Sequence, residues 1–233
     1  MKHIFLSPHL DDANLSAGEY ILQLRKRREQ TLVITLFTTF GKKKPLGPAK
    51  KYLNDSGFND PLAFSKERVG EDKRAMQILD TQFVRLRFVD ALYRTHSGKK
   101  RQKSFYIYPS FESLRSGKIN PVELPLIKTL ADTISKYIFK DDILYAPMGI
   151  GGHVDHFIAN AVLTLFPNRH FYWIDQPYIL RNLEEISSKY LHSFTVVSTE
   201  RKIFALLQYI SQIPLLYPEG IRLMEEQFFV DRG

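Results

Sequence analysis

Short apolar segments alternate with amphipathic segments along most of the chain. Runs such as Ile4-Phe5-Leu6 favour strands, whereas apolar residues at helical spacing, such as Leu15, Ile21 and Leu22, favour helices. The pattern predicts strands over residues 3–6, 31–37, 83–88, 142–146 and 170–174 and helices over residues 15–28, 65–79, 120–138, 154–166 and 200–210. Because strands alternate with helices, we expect an α/β fold with a mostly parallel sheet sandwiched between helices.

Three segments show no clear period. Residues 41–64 combine glycine, prolines, asparagine and lysines and are predicted to form a long loop. Residues 94–119 are irregular, basic at first and then aromatic, and we expect the tail over residues 214–233 to fold back on the core. The chain contains no internal repeat, and its length suits a single domain over residues 1–233.

Composition narrows the possible chemistry. The chain has 233 residues, of which 44% are hydrophobic and 25% charged, the balance of an ordinary globular protein. Cysteine is absent, which excludes disulfides and thiolates, so any metal must be held by His, Asp or Glu. No apolar stretch approaches the roughly 18 residues that span a bilayer, and the start of the chain lacks a signal-peptide pattern, so we expect a soluble cytoplasmic protein.

The chain carries a formal net charge of +8, which favours anionic partners. Residues 99–111, basic and then aromatic, have the composition of a platform for single-stranded nucleic acid or of a carbohydrate-facing lid. We expect instead that these aromatics pack a loop onto the domain. Basic clusters at 42–44, 50–51 and 99–103 are expected to be solvated, and residues 25–28 to close a helix, where cations offset its dipole. Nucleic acid is therefore only a weak alternative partner.

Two clusters of His and Asp follow predicted strands. His9-Leu10-Asp11-Asp12 comes after the strand at residues 3–6, and His153-Val154-Asp155-His156 comes after the strand at 142–146. Parallel strands present their C-terminal ends to one edge of a sheet, so the two clusters can face each other there. Gly151-Gly152 allows a sharp turn before His153, and the spacing of His153 and His156 puts both on one helix face. The pattern predicts one metal site made of two halves.

Several motifs carry a resemblance to a known family. They are Pro8-His9-Leu10-Asp11-Asp12 with Gly18, Arg68-Val69-Gly70-Glu71 with Ala75 and Leu79, Phe88-Val89-Asp90, Gly151-Gly152-His153-Val154-Asp155-His156, and residues 202–212 with Tyr209-Ile210-Ser211-Gln212. Over roughly residues 3–212 the chain resembles the PIG-L/LmbE-like N-acetylglucosaminyl deacetylase family. The resemblance implies a Rossmann-like, LmbE-like fold and a zinc-dependent hydrolase that removes an N-acetyl or other N-acyl group from an amino sugar or related small glycoconjugate.

The resemblance also implies roles for individual residues and a small N-acetylated sugar as the partner. By position, His9, Asp12 and His156 match the family's ligands of a Zn²⁺ cofactor, and Asp11 matches its general base. His153 matches the histidine that stabilises the oxyanion or helps to protonate the leaving amine. Arg68 and Asp90 match the groups that contact the sugar.

The chemistry of these residue types is consistent with such a site. Two imidazoles and one carboxylate leave coordination positions open for water and the substrate carbonyl, as catalytic zinc sites do, although the same set also suits iron(II). Zinc lowers the pKa of water to about 7. Asp11 can then remove a proton, and a cationic His153 can donate a hydrogen bond to the oxyanion. Asp155 can orient one of the histidines.

Other interpretations of the same residues stay open at this point. Structural alternatives are helix capping by Asp11 and Asp12, helix-start positions for His153 and His156, and an ion pair between Arg68 and Asp90. Leu10 stands where the family usually has proline, and Ala13 where it has glutamate. A non-catalytic protein that binds sugar and retains the fold is therefore an alternative function. The sequence determines neither the acylated substrate nor the oligomeric state.

Overall fold

The fold is built around one mixed sheet. The computed structural model describes residues 1–41, 45–97, 104–181, 186 and 188–232. The strands among those residues are β1 (Lys2–Ser7), β2 (Gln30–Thr39), β3 (Gln82–Val89), β4 (Thr95–Ser97), β5 (Ser104–Tyr106), β6 (Ile143–Pro147), β7 (His170–Trp173), β8 (Tyr190–Val196) and β9 (Glu226–Asp231). Seven of them form a sheet in the order β3-β2-β1-β6-β7-β9-β8, while β4 pairs with β5 separately.

The sheet is mostly parallel, which confirms the predicted α/β fold. Strands β3, β2, β1, β6 and β7 run parallel, and β9 and β8 join them in antiparallel pairing. The α-helices of the described part of the chain are α1 (Asp12–Lys26), α2 (Gly47–Asp55), α3 (Pro61–Ile78), α4 (Phe111–Leu114), α5 (Leu124–Ile134), α6 (Val154–Leu163), α7 (Glu200–Leu206) and α8 (Ile213–Leu216). Each predicted strand and helix is present, with ends shifted by a few residues.

Helices cover both faces of the sheet. Side chains of β1 alternate between the faces, so that Ile4 packs in a buried cluster with Leu130 of α5 and Ile158 of α6. Phe5 packs in a second cluster with Ile21 of α1. Because both faces are buried, the central strands are continuous apolar runs instead of alternating ones, which is what made them recognisable in the sequence.

The prediction of a loop over residues 41–64 is wrong from Gly47 onward, because two helical segments lie there. Helix α2 and the first turn of α3, which begins at Pro61, lie within it. Ala49 and Leu53 of α2 are buried one helical turn apart, a pattern too short to be recognised among the prolines and lysines. Residues 42–44, and with them one of the basic clusters, lie outside the described residues.

Two strands near the end of the chain were not predicted. Strand β9 inserts between β7 and β8 with Phe228 and Phe229 buried, so the tail folds back on the core as expected and also completes the sheet. Strand β8 lies at the edge of the sheet and is mostly exposed, with Leu191 44% exposed. An edge strand of this kind lacks the apolar period on which the prediction depends.

The described parts of the segment over residues 94–119, namely 94–97 and 104–119, are largely irregular, as predicted, and contain β4, β5 and α4 as short elements. Tyr108 is buried, and its hydroxyl donates to Glu123 at 2.6 Å, so this aromatic packs the loop onto the domain as expected. Phe105 is 53% exposed instead. The basic cluster at 99–103 lies outside the part of the chain that the structure describes.

The chain direction places a crevice between β1 and β6. From β1 the chain continues to β2 on one side, and from β6 it continues to β7 on the other. Ligands bind at such a switch point, outside the carboxyl ends of the strands. Both His and Asp clusters follow these two strands. None of the described helices combines the length and apolar character needed to cross a membrane.

Candidate metal centre

The first cluster forms a turn between β1 and α1 that is held by hydrogen bonds. The Ser7 hydroxyl donates to the backbone carbonyl of His9 at 2.6 Å and accepts from the backbone N–H of Ala13 at 3.0 Å. The carbonyl of buried Leu10 accepts from the Tyr209 hydroxyl at 2.8 Å. Hydrogen bonds of Ser7 and Tyr209 therefore hold the turn in place although position 10 is not a proline.

The two aspartates of this turn do not act as helix caps. Asp11 occupies the N-cap position of α1, but its side chain makes no capping hydrogen bond. Its Oδ1 accepts from Arg68 at 3.2 Å instead. Oδ2 of Asp12 accepts from the backbone N–H of His9, three residues earlier, at 2.7 Å. Both carboxylates are buried, and their hydrogen bonds are made with residues of the site, Arg68 and His9.

The second cluster begins with the sharp glycine turn that the sequence predicts. Gly152 has a φ of +72°, and a Cβ atom there would lie 2.2 Å from the backbone oxygen of Arg115, so no other residue fits. His153 follows at the N-cap of α6, where its Nδ1 accepts from the backbone N–H of Asp155 at 3.2 Å. His153 thus begins the helix, as the structural alternative proposed, and also faces the first cluster.

The histidines of the two clusters meet. The ring centroid of His9 lies 4.8 Å from that of His153 and 5.5 Å from that of His156. Each of the three offers a ring nitrogen within 4.8 Å of the others, so the triad can hold a metal ion. Oδ2 of Asp12 lies 3.0 Å from His9 Nδ1 and 3.4 Å from His156 Nε2. Because Asp12 and His153 both lie within reach, the ligand set of His9, Asp12 and His156 stays a prediction.

Carboxylates also surround the other nitrogen of His9. Nε2 of His9 lies 3.2 Å from Oδ2 of Asp155 and 3.6 Å from Oδ2 of Asp90. These three residues form a second group with metal-ligand spacing. However, Oδ1 of Asp155 lies 2.6 Å from the Arg94 guanidinium, whose charge opposes a cation at this point. The group is better suited to orienting His9, which is the kind of role expected for Asp155.

His156 has an orienting carboxylate that the sequence analysis missed. Its Nδ1 lies 2.6 Å from Oδ1 of Asp175, which follows β7. The chain thus brings a third strand end to the site. Asp175 carries the same signal that singled out His9, a carboxylate or imidazole directly after an apolar strand, but no second polar residue accompanies it in a recognisable motif.

The carboxylates create a field that favours positive charge. Burial alone lowers the pKa of an imidazole, but Asp12 and Asp155 overcome it at His9 and raise the pKa of His9 well above its ordinary value. Asp12 and Asp175 likewise overcome burial and raise the pKa of His156 to about 10. A metal ion that binds to these nitrogens replaces their protons, and the same carboxylates stabilise its positive charge. The donor set and its electrostatics therefore fit a divalent cation.

His153 differs from its neighbours. Burial, together with the nearby His9, lowers the pKa of His153 well below its ordinary value. Its Nδ1 also accepts the hydrogen bond from the Asp155 backbone, which requires an unprotonated nitrogen. The expectation of a cationic His153 is therefore wrong: the structure favours a neutral ring with its hydrogen on Nε2.

The predicted sugar contacts, Arg68 and Asp90, lie beside the candidate metal centre but do not form an ion pair with each other. Arg68 is buried and donates to Asp11 at 3.2 Å and to the Tyr52 hydroxyl at 2.9 Å. Asp90 accepts from the backbone N–H of Leu92 at 2.8 Å and approaches His9 with its other oxygen. Burial alone lowers the pKa of an arginine, but Asp11 raises that of Arg68 above its ordinary value, so Arg68 stays charged.

A cavity of about 630 Å³ opens onto the centre. Its polar wall includes residues described above, namely His9, Asp11, Asp12, Arg68, Asp90 and His153. Its apolar wall includes Phe37, Phe40, Leu92, Phe111, Leu114, Leu180, Leu215 and Leu216. A cavity of this size takes a ligand much larger than an acyl group alone.

Together these features define an α/β protein with a cluster of histidines at the carboxyl edge of its sheet that can hold a metal ion, next to a cavity of small-molecule size. A family model described as PIG-L, GlcNAc-PI de-N-acetylase, matches residues 4–166. The chain belongs to this family, and the predicted resemblance is confirmed. No curated protein matches the chain in sequence.

Solved structures share the fold. The zinc-inhibited form of teicoplanin deacetylase Orf2 has 22% sequence identity and a TM-score of 0.71, covering 99% of this chain and 98% of that one. N,N'-diacetylchitobiose deacetylase from Pyrococcus horikoshii has 14% identity and a TM-score of 0.55, covering 99% and 84%. GalB, the 4-carboxy-2-hydroxymuconate hydratase from Pseudomonas putida KT2440, has 13% identity and a TM-score of 0.59, covering 100% and 98%. At these identities the likeness concerns the fold alone. The same fold is found in deacetylases and in a hydratase, so it does not by itself determine the reaction.

Proposed function

We propose that the chain is a metal-dependent amide hydrolase that removes an N-acetyl or other N-acyl group from an amino sugar or related small glycoconjugate. The observation that carries the proposal is the convergence of His9, Asp12, His153 and His156 beside a substrate-sized cavity, whose lining includes Asp11 as well as His9, Asp12 and His153. Membership of a deacetylase family supports the reaction class.

Zn²⁺ is the metal we propose, with Fe²⁺ as the alternative. His9, Asp12 and His156 would hold it, since two imidazoles and a carboxylate are a common ligand set of catalytic zinc. When bound, the ion supplies Lewis-acid chemistry, polarising the acyl carbonyl and lowering the pKa of water. Asp155 and Asp175 face the outer nitrogens of His9 and His156 and orient the rings.

Asp11 is proposed as the general base. Among the described residues, the hydrogen bond to its carboxylate comes from Arg68 to Oδ1, which leaves Oδ2 to accept a proton from water. The water oxygen forms a bond to the acyl carbon, and the C–N bond then breaks. The proton held by Asp11 passes to the leaving nitrogen. The products are a carboxylic acid and a free amino sugar.

His153 is proposed to stabilise the oxyanion. Its Nδ1 is occupied by the backbone N–H of Asp155, so the hydrogen on Nε2 is the one it can offer to the substrate. A neutral donor in a buried site strengthens its hydrogen bond as negative charge develops on the acyl oxygen. Proton transfer to the amine is then the task of Asp11.

Arg68 and Asp90 are proposed to contact the sugar, because both line the cavity next to the metal centre. Arg68 has a second function in this proposal, since it also positions the Asp11 carboxylate. The apolar wall of the cavity would accommodate the remainder of the glycoconjugate. A sugar-binding protein without activity is the alternative that the experiment must separate.

The test combines metal content with acetate release. Protein loaded with zinc is expected to hold about one ion per chain and to release acetate and free amine from N-acetylglucosaminides. Asp11→Asn is expected to keep the zinc and lose at least about 100-fold in kcat. Asp132→Asn, on the exposed face of α5, is the control and should retain full activity. Sugar binding without acetate release from any substrate would support the non-catalytic alternative.

A further inference from the structure

We propose that Asp175 is a positioning residue that prepares His156 for metal binding and, at the same time, holds the glycine loop of residues 149–152. The inference rests on the metal centre of the proposed function. Asp175 is 1% exposed, and its two oxygens have separate partners. Oδ1 lies 2.6 Å from His156 Nδ1, and Oδ2 accepts from the backbone N–H groups of Gly149 at 2.7 Å and Ile150 at 2.9 Å.

These contacts determine which nitrogen of His156 can bind a metal. Oδ1 of Asp175 acts as an acceptor, so the hydrogen bond requires a hydrogen on Nδ1 of His156. The ring must then bind a metal through Nε2, the nitrogen that lies 3.4 Å from Oδ2 of Asp12. A carboxylate that fixes the tautomer and orientation of a ligand histidine raises the affinity of a metal site.

The second oxygen connects this ligand to the glycine loop. Gly149 has a φ of +99°, and a Cβ atom there would lie 2.9 Å from the ring of Phe157, so the loop is tightly placed. The loop closes with a hydrogen bond from the Gly152 N–H to the Gly149 carbonyl at 3.1 Å and leads directly to His153. One carboxylate therefore sets the position of both histidines of the second cluster.

Asp175→Asn separates this role from simple packing. If the amide oxygen accepts from the loop, the NH₂ group faces Nδ1 of His156 and favours the tautomer with its hydrogen on Nε2, which cannot bind the metal there. If the amide is turned around, the NH₂ group faces the N–H groups of Gly149 and Ile150, donor against donor. Either orientation opposes the geometry that the metal centre needs.

The experiment measures zinc affinity by competition with a chromophoric chelator. Asp175→Asn is expected to bind zinc 10–100-fold more weakly than the wild type. The control is Asp142→Asn, because Asp142 is also buried and also accepts from two backbone N–H groups, those of Lys2 at 2.7 Å and Phe139 at 2.9 Å, at the opposite edge of the sheet. Unchanged affinity in Asp175→Asn, or an equal loss in Asp142→Asn, overturns the proposal.

A wild-type measurement keeps the proposal testable even if the variant does not fold. NMR of the zinc-loaded protein with ¹⁵N-labelled histidine is expected to show His156 protonated at Nδ1 and bound to the metal through Nε2. Binding through Nδ1 would contradict the inference. A protein that binds zinc with this dependence on Asp175 but releases no acetate would remove the proposed activity alone. A wild type that holds no zinc would overturn both.

Discussion

Arg94 connects the fold to the candidate metal centre, and its removal is expected to destabilise both. The side chain is buried and forms ion pairs with two buried carboxylates, Glu123 and Asp155. Arg94→Met keeps the length of the side chain but leaves both carboxylates without their cation. Removing one partner of a buried ion pair costs about 3–5 kcal/mol. Asp155 retains its contact with His9, and Glu123 keeps the Tyr108 hydroxyl, so we expect the lower half of this range, about 3–4 kcal/mol.

The assay is urea unfolding of the two proteins, followed by circular dichroism. In thermal unfolding, a loss of about 3–4 kcal/mol in the free energy of unfolding should lower the Tm of a chain of 233 residues by roughly 6–16 °C. Arg74→Met is the matched control, because the Arg74–Glu67 ion pair is 44% and 45% exposed and should contribute less than about 1 kcal/mol. A loss below about 1 kcal/mol in Arg94→Met would refute the argument that these buried carboxylates depend on Arg94.

The same variant has an expected pH dependence. Burial alone would raise the pKa of Asp155, but Arg94 and His9 lower it below its ordinary value. A carboxyl whose pKa is depressed in the folded state contributes stability above its unfolded pKa of about 3.9 and loses it as the pH falls through the folded value. The difference in unfolding free energy between wild type and Arg94→Met should therefore hold its full value from pH 7 down to about pH 4 and shrink as the pH falls further, below the unfolded pKa of about 3.9. A difference that grows in acid would contradict this assignment.

Three further predictions concern the turns and the metal. Tyr209→Phe removes the hydroxyl that holds the Leu10 carbonyl and should cost about 1–2 kcal/mol in urea unfolding, with lower kcat; unchanged kcat would show that the turn does not depend on this bond. Zinc at 100 times its Kd should stabilise the wild type by about 2.7 kcal/mol and Asp12→Ala not at all, as measured by thermal unfolding with and without chelator. Gly152→Ala should lower Tm strongly, because its Cβ atom would lie 2.2 Å from the Arg115 carbonyl oxygen, and a Tm equal to that of the wild type would exclude the strained turn.

Much of the fold could be predicted because its central strands are buried on both faces. Strands such as β1 and β2 are then continuous apolar runs, and the helices between them show a helical period. Strand β8 could not be recognised, since an exposed edge strand has no such run. Helix α2 was missed because only Ala49 and Leu53 of its residues are buried, too few positions to define a period.

The candidate site could be predicted where it follows short motifs. His9 and His153 each follow a strand, and the topology of a parallel sheet brings such positions to one edge, so their meeting followed from pattern alone. Asp175 and Arg94 could not be found in this way. Each is a single charged residue whose role depends on partners far away in the sequence, His156 in one case and Glu123 with Asp155 in the other.

The sequence by itself determined the alternation of strands and helices, the positions of the two His and Asp clusters, and the absence of thiolate ligands. Tertiary structure decided which nitrogen and oxygen atoms face each other, that Arg68 pairs with Asp11, and that burial lowers the pKa of His153 and so favours its neutral form. The physical reason is that the period of apolar residues reflects the burial of side chains averaged over one short segment of the chain. Hydrogen bonds and pKa values depend on distances of a few ångströms between residues that only the folded chain brings together.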